Sequence, residues 1–381
     1  MKIMIKILFA LAFFVGANFF IANRLLRGSQ AIWPQASGWI FAALFVFLWL
    51  LTIMGYAPHS FGGKWYMNRV GAYWFGVFVC FVCLFAAAEV LILLPAVAQV
   101  VALSLLPDVR LWLALGVAAV TVLLVIWGRL RAARIKVVPY DIQIKNNAAS
   151  QPLKIAMIAD LHLGASDCEA HLPAIVKFIN KAQPDIVCLV GDVFNDDINL
   201  IRNPAAVMAS LKRIQAKYGV FACLGNHDGG LTFHEMVRFL ADSNVRLLND
   251  EYVVIDGRYV LIGRVDARPV FGFDGLARRD TDAVLEAAEA TYPTLPIIVM
   301  DHNPANLAQY KNRVRLMLSG HTHAGQSFPF NWLSKVVHLV SHGHFQQHAD
   351  APHLVVTSGV GTWGPPLRLG TQSEVVLINL R

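Results

Sequence analysis

Four apolar stretches in the first 136 residues, roughly 7–22, 39–57, 70–94 and 111–127, restrict the fold more than any other feature of the chain. A bilayer span needs about 20 mostly apolar residues, and each stretch is near that length. In hydrocarbon every backbone N–H and C=O must be satisfied within the segment, so such stretches fold as helices. An all-α transmembrane bundle of about four helices is expected over residues 1–136. Lys2 and Lys6 precede the first stretch as they would in a signal peptide. No small-x-small cleavage motif follows and further apolar segments do, so a retained anchor is expected. Composition agrees: the chain is 56% hydrophobic and 15% charged, against about a quarter charged in soluble domains.

Charge divides the chain. Residues 1–136 hold 11 Lys/Arg and 2 Asp/Glu, whereas residues 137–381 hold 21 and 23. The basic balance therefore belongs to the apolar part. It gives no ground for a nucleic-acid groove, which needs clustered positive charge on the soluble part. Arg129, Arg131, Arg134 and Lys136 follow the fourth stretch, and such clusters stay cytoplasmic. Four spans then put the N-terminus, Lys64 and Arg69 on the same side, while Arg24 and Arg27 in the first loop dissent. The segment "VLILLPAVAQVVALSLL" can hide a fifth span, which would reverse the parity. Glu89 lies within the third stretch. A carboxylate in lipid is a functional-site candidate, but no second intramembrane charge is evident to form a relay, so a hydrogen-bonded or interfacial carboxyl is expected. The five cysteines, Cys80, Cys83, Cys168, Cys188 and Cys223, show no disulfide spacing and read as reduced thiols.

After a linker at 137–151 the pattern changes. Short β-favouring runs each end in a polar cluster: "LKIAMIAD" at Asp160, "DIVCLVGD" at Asp192, "VFACLGNHD" at Asn226, His227 and Asp228, "PIIVMDHNP" at His302, and "RLMLSGHTH" at His321 and His323. Runs of this kind read as buried strands. The first three are separated by helical patterns, in "CEAHLPAIVKFINKAQ" and "PAAVMASLKRIQAKY", which implies parallel pairing with helices outside. Later runs, "EYVVID", "RYVLIG", "HLVVTSG" and "EVVLINL", suggest a second, more antiparallel sheet. An α/β domain of two packed sheets flanked by helices is expected over 152–381. Sites in such sheets form beyond the carboxyl ends of the strands, where every one of these clusters lies. Carboxylate, imidazole and amide oxygen suit Zn, Mn, Fe or Mg. Seven such donors are too many for one tetrahedral ion and suit two ions about 4 Å apart.

The ordered blocks "DLH" at 160–162, "GD" at 191–192, "GNHD" at 225–228, His302 and "GHTH" at 320–323 resemble the calcineurin-like metallophosphoesterases. "GHTHAGQ" and "GVGTWGPPLRLG" are similar to their bacterial, membrane-associated branch. That branch includes phosphodiesterases of the YaeI/YkuE type and a pyrophosphatase acting on UDP-diacylglucosamine. The resemblance implies a four-layer α-β-β-α sandwich. It implies two divalent metal ions, one held by Asp160, His162 and His323, the other by Asn226, His302 and His321, with Asp192 bridging. It also implies that His227 stands beside the phosphate as proton donor or charge stabiliser, oriented by Asp228. The function implied is a multi-pass enzyme of the bacterial inner membrane with a cytoplasmic catalytic domain. It would hydrolyse a phosphodiester or pyrophosphate that is lipid-linked or nucleotide-linked, with the bilayer as partner and no nucleic acid. The alternatives are a non-catalytic sensor or scaffold, for which damaged ligand blocks are expected and none is visible, a nuclease, which the −2 balance of residues 137–381 disfavours, and a transporter.

Other polar groups carry weaker expectations. Arg264, Arg268, Arg278 and Arg279, in the insert "RVDARPVFGFDGLARRD", are candidate phosphate clamps beside Asn226, since guanidinium forks match phosphate oxygens. The commoner role for such charges is a solvated face. His338, His342, His344, His348 and His353 read either as a further metal site or as a loop near the centre or on the surface. The apolar "FPFNWL" at 328–333 either dips into a membrane interface or caps the core.

Overall fold

Helices take up all four apolar stretches: α1 (Lys2–Gln30), α2 (Gly38–Gly55), α3 (Lys64–Val97) and α4 (Leu106–Ala133). The computed structural model describes residues 2–57, 61–97, 106–144, 152–164 and 168–381. Within these helices Leu8–Gln30, Gly38–Gly55, Lys64–Leu91 and Val109–Ala133 are long and apolar enough to cross a membrane. The first compact unit, residues 1–57 and 66–127, is built the way lipid demands. Ile21, Phe45, Phe78, Phe85 and Val117 pack inside, while Phe9, Trp39 and Leu123 face outward. Exposed apolar surface on that scale is not sustained in water. Residues 90–97 of the candidate fifth span continue α3, and 98–105 lie outside the described residues.

Glu89 has the partner that the sequence did not reveal. The first helix runs on to Gln30, so Arg24 lies within it rather than in a loop. Its Nε stands 2.6 Å from Glu89 Oε1, with both side chains 20% exposed. Pairing offsets the desolvation of two charges in an apolar bundle, and it removes Arg24 from the loop tally that opposed the inferred orientation.

The second unit takes in residues 58–65 and 128–381. Its elements are, in order, β1 (Ile135–Ile142), β2 (Leu153–Ile158), α5 (Cys168–Ala182), β3 (Ile186–Val190), α6 (Pro204–Lys212), β4 (Val220–Cys223), α7 (Phe233–Asp242), β5 (Arg246–Leu247), β6 (Glu251–Ile255), β7 (Tyr259–Gly263), α8 (Thr281–Thr291), β8 (Ile297–Met300), α9 (Leu307–Tyr310), β9 (Leu316–Ser319), α10 (Phe330–Val337), β10 (Gly343–Phe345), β11 (His353–Val356) and β12 (Ser373–Leu380). One sheet has the order β1-β12-β2-β3-β4-β5 and the other β10-β11-β9-β8-β7-β6.

Alternation along the strands builds the layers. Ile155, Met157, Cys188, Leu261, Ile298 and Leu318 point between the sheets and form their common core. Their neighbours Ala156, Ile158, Val187 and Leu189 point outward, against α5, α6 and α7. On the far side Val260, Ile262, Val299 and Met317 pack on α8. The result is a four-layer α-β-β-α sandwich.

Two expectations change. Residues 137–142, read as part of a linker, form most of β1, which pairs in parallel with β12 from Ile135–Ser373 to Ile142–Leu380. The stretch "IKVVPYDI" is rich in β-branched and aromatic residues, and its Pro139 is tolerable because the strand lies at a sheet edge. The second sheet is also less antiparallel than expected. Strands β11, β9, β8 and β7 run parallel, and only the outer pairs β10–β11 and β6–β7 are antiparallel. The crossover α8 sets β7 and β8 parallel, while "EVVLINL" joins the first sheet instead. Val375 and Val376 are both buried, on opposite faces of that strand, as suits a central position.

Candidate metal centre

Parallel strands bring the polar clusters to one rim. Asp160 follows β2, Asp192 follows β3, Asn226 follows β4, His302 follows β8, and His321 and His323 follow β9. The backbone is strained there. Asp160, His162, Asp192, His321 and His323 all hold positive φ, between 46° and 69°. Such a conformation costs a non-glycine residue about 1–2 kcal/mol, and its concentration at one rim marks a site held in place by its surroundings. Small residues make room. A Cβ at Gly225 would lie 2.2 Å from Asp192 Oδ1, and one at Gly320 would lie 2.5 Å from Asp160 Oδ2.

Two triads of ligand atoms form, Asp160–His162–His323 and Asp192–His302–His321, each with its atoms within 4.8 Å of one another. Asp192 lies between them. Its Oδ2 is 3.1 Å from His302 Nε2 and 3.7 Å from His162 Nε2. Asn226 joins the second triad, its Oδ1 2.8 Å from His321 Nδ1.

The polar atoms that face inward fit cations better than they fit each other. Nε2 of His162 and Nε2 of His323 face one another at 3.1 Å. Asp160 Oδ2 and His323 Nδ1 are buried with no hydrogen-bond partner, and His302 Nε2 faces only the Asp192 and Asp160 carboxylates. Buried polar atoms without partners are costly in an empty protein, whereas divalent ions take oxygen and imidazole donors of this kind. Outer bonds fix the rings. His302 donates Nδ1–H to Val190 O at 2.8 Å, and His162 Nδ1 meets Asn195 Oδ1 at 3.1 Å. Both leave Nε2 turned inward, the second-shell arrangement that orients metal ligands.

Electrostatics follow from burial. Burial lowers His162 to about 3, partly offset by Asp192, and burial with nearby His302 lowers His321 to about 4. Both rings are therefore neutral at pH 7, the form that binds metal. Burial and Asp192 push Asp160 up to about 7, although His302 draws it back. For His302 burial opposes charge, but the Asp192 carboxylate prevails and holds it well above the ordinary histidine value. A cation among these donors would take over the role of that proton.

His227 lies beside the centre, its ring centroid 5.3 Å from that of His162. Asp228, expected to orient it, does something else. Its oxygens accept N–H bonds from Phe194 at 2.8 Å and Gly225 at 2.7 Å, which pins two loop backbones. The group that holds His227 is Asp196, with oxygens 2.9 and 3.1 Å from Nδ1. Burial of His227 opposes its charge, but Asp196 and Asp192 together raise its pKa above the ordinary value. Asp196 and Asn195 follow a strand-end "GD" by only a few residues, and that position was the available signal for them. A further residue missed in the sequence is Arg368, fully buried, whose Nη2 donates to Ser358 O, Gly359 O and Gly361 O at 2.7–3.1 Å. The loop so held donates Gly361 N–H to Asp160 O at 2.9 Å.

The arginine clamp is not borne out by the geometry for two of its four members. Arg264 is buried against Asp250 at 2.6 Å and also donates to Thr281 and Arg279 O. Arg279 is exposed and lies by the same aspartate: its backbone N–H donates to Asp250 Oδ2 at 2.6 Å and its Nη1 to Asp250 O at 3.5 Å. Arg278 binds Asp301 Oδ2 at 2.7 Å and Val265 O at 2.7 Å, so it braces the residue before His302. Arg268 is exposed, on a loop that reaches the site through a Val270 N–H bond to Asn226 O at 2.9 Å. The histidine tract divides similarly. The His338 ring lies 6.4 Å from that of His321, His342 pairs with Glu374, and His344 stacks on His353.

Comparison with known proteins finds the following likenesses. Residues 153–325 match the family model of the calcineurin-like phosphoesterases. An uncharacterized metallophosphoesterase of Campylobacter jejuni is 33% identical over 248 residues, 63% of this chain and 62% of that protein. A Helicobacter pylori relative of the same description is 30% identical over 60% of each chain. A Bos taurus transmembrane protein with a metallophosphoesterase domain is 27% identical over 88% of this chain and 77% of its own length. Among solved structures, a dimetal phosphatase from Danio rerio covers 55% of this chain and 88% of its own at 12% identity and a TM-score of 0.38. The chain spans about 60% of the length of the Helicobacter and Campylobacter relatives. Residues 153–325 thus form a domain similar to the calcineurin-like phosphoesterases, joined in this chain to four helices able to cross a membrane.

Proposed function

We propose that this chain is a membrane-anchored dimetal phosphoesterase that hydrolyses a phosphodiester or pyrophosphate, with a lipid-linked or nucleotide-linked substrate. The observation that carries the reading is the convergence of seven candidate ligand side chains from five strand ends. Asp160, His162 and His323 would hold one divalent ion, Asn226, His302 and His321 the other, and Asp192 both. Bound there, two cations supply Lewis-acid activation of a water and offset the phosphate charge.

The chain's own groups do the rest. His227, held as a proton carrier by Asp196, protonates the leaving oxygen or braces the charge developing on phosphorus, work worth about 10² to 10⁴ in rate. Asp228 and Arg368 keep the loops beneath the ligands from moving. Arg268 is placed to meet a substrate phosphate. Lys64 and the basic cluster at 129–136 fall in the unit that carries these sheets, which supports a catalytic domain on the basic, cytoplasmic side of a bacterial inner membrane.

The test is turnover of UDP-diacylglucosamine and of a soluble bis-aryl phosphate by chelator-stripped and reconstituted protein. Activity should return with divalent metal, and Asp192→Asn should lower it by about 10³-fold or more with the fold intact. Full activity in the variant would exclude the bridging role. Equal turnover of both substrates would remove the preference for lipid.

A further inference from the structure

Helix α10 presents an apolar face that none of the described residues of its unit covers. Phe328, Trp332, Leu333, Val336, Val337 and Leu339 are 48–79% exposed, and Ser334 is the buried residue of the helix. Residues 330–333 of "FPFNWL" thus lie in a helix, and its apolar side chains are exposed rather than capping the core. Its one charged residue is Lys335, of a type that can lay its stem along an apolar surface and keep its ammonium at a polar boundary.

Two connections define what this face meets. The first is to the end of the fourth span. Residues 128–133 of α4 belong to the second unit, and Gly128 O accepts Arg368 N–H at 3.0 Å. The loop at 367–370 continues to α10, where Phe328 N–H donates to Leu369 O at 2.9 Å and Ser327 bridges Leu369 and Gly370. The face therefore begins where the chain leaves a membrane-spanning segment. The second connection is to the catalytic rim. Gln326 donates to Trp363 O and accepts Trp363 N–H, both at 2.9 Å, and the Trp363 ring lies 6.0 Å from that of His227. Hydrogen bonds within this unit thus link residues at the end of α4, the apolar face and the site.

We propose that the α10 face lies in the interfacial layer of the bilayer and that the site receives a phosphate-bearing lipid from the membrane directly. Aromatic side chains on an amphipathic helix with a basic residue are suited to that layer. The substrate class is an amphiphile whose hydrocarbon stays in lipid while its phosphate reaches the rim at Trp363 and His227. This deepens the phosphoesterase reading and rests on it for the chemistry, whereas the docking surface stands on geometry alone.

The test uses the full chain in phosphatidylcholine–phosphatidylglycerol nanodiscs, with a nitroxide at Val336→Cys and, as reference, at the exposed Arg238→Cys of α7. The native cysteines are buried or half-buried. The label at 336 should collide more with oxygen than with a water-soluble nickel complex, and the label at 238 should do the reverse. Nickel access at 336 equal to that at 238 overturns the proposal. So does shielding from both reagents, the pattern of a protein partner or second copy. A second arm compares two substrates with one leaving group, bis(nitrophenyl) phosphate and a bilayer-embedded diacylglycerol nitrophenyl phosphate. Trp332→Glu with Val336→Glu should leave turnover of the soluble diester within about two-fold and lower that of the lipid by about ten-fold or more. Unchanged lipid turnover, or equal loss on both substrates, overturns lipid delivery. If the wild-type chain hydrolyses neither, the phosphoesterase reading falls while the label depths still decide the docking surface.

Discussion

Two sets of polar residues at strand ends invite comparison, the His/Asp rim and the arginine insert at 264–279. Both follow strand ends and both contain buried charged groups, yet they differ in what those polar atoms meet. Arg264 gives its donors to Asp250, Thr281 and Arg279 O, and the Asp301 carboxylate accepts from Arg278, Asn306 and Tyr310. Among the rim residues Asp160 Oδ2 and His323 Nδ1 meet no hydrogen-bond partner, and the Nε2 atoms of His162 and His302 face other candidate ligands. A satisfied network holds a fold together, while converging unsatisfied atoms await a ligand. Residue type alone misleads here, because arginine is the usual phosphate binder and Arg264 and Arg278 are structural.

The largest effect that would break the comparison is on stability at the satisfied set. Arg264→Ala leaves the Asp250 carboxylate buried and unpaired, and should cost about 3–5 kcal/mol in denaturant unfolding. The surviving folded fraction should keep its substrate KM. A stable variant with a raised KM would return Arg264 to the clamp. Next is Asp196→Asn, which removes the charge behind His227. Turnover should fall by about 10- to 100-fold with KM little changed. A rise in KM at constant kcat would make Asp196 a binding residue instead.

The smallest effect concerns Glu374, which accepts from Thr357 Oγ1 and Ser358 N–H, both at 2.9 Å, and pairs with His342. Burial alone would raise its pKa, but His342 and those donors bring it below the ordinary value of 4.5. A depressed carboxyl adds stability that is fully present above the unfolded value and is lost as pH falls through the lower folded one. Glu374→Gln should therefore destabilise by about 1–2 kcal/mol at pH 7, with the gap to wild type closing below about pH 4.5. A gap independent of pH would mean that shape, not charge, is what Glu374 provides.

Much of this was legible in the sequence, for a physical reason. A buried parallel strand must be apolar along its length, so its carboxyl end stands out as the first polar residue, and "GD", "GNHD" and "GHTH" mark the rim without any coordinates. The apolar stretches of the membrane unit are plain on similar grounds. What stayed hidden depends on partners distant in the chain. Nothing local distinguishes Asp196, which holds His227, from Asp228, which does not. Arg24 reads as a loop charge until α1 is seen to extend past it to face Glu89. The edge strand β1 looks like a linker because its pairing partner lies at 373–380.

The central claim is that these candidate ligands meet around two cations. Calorimetric titration of manganese into the chelator-stripped full chain tests it most directly. We expect about two ions per chain in the wild type and about one in His323→Ala. Binding of no ion, or a stoichiometry indifferent to His323, would contradict the account.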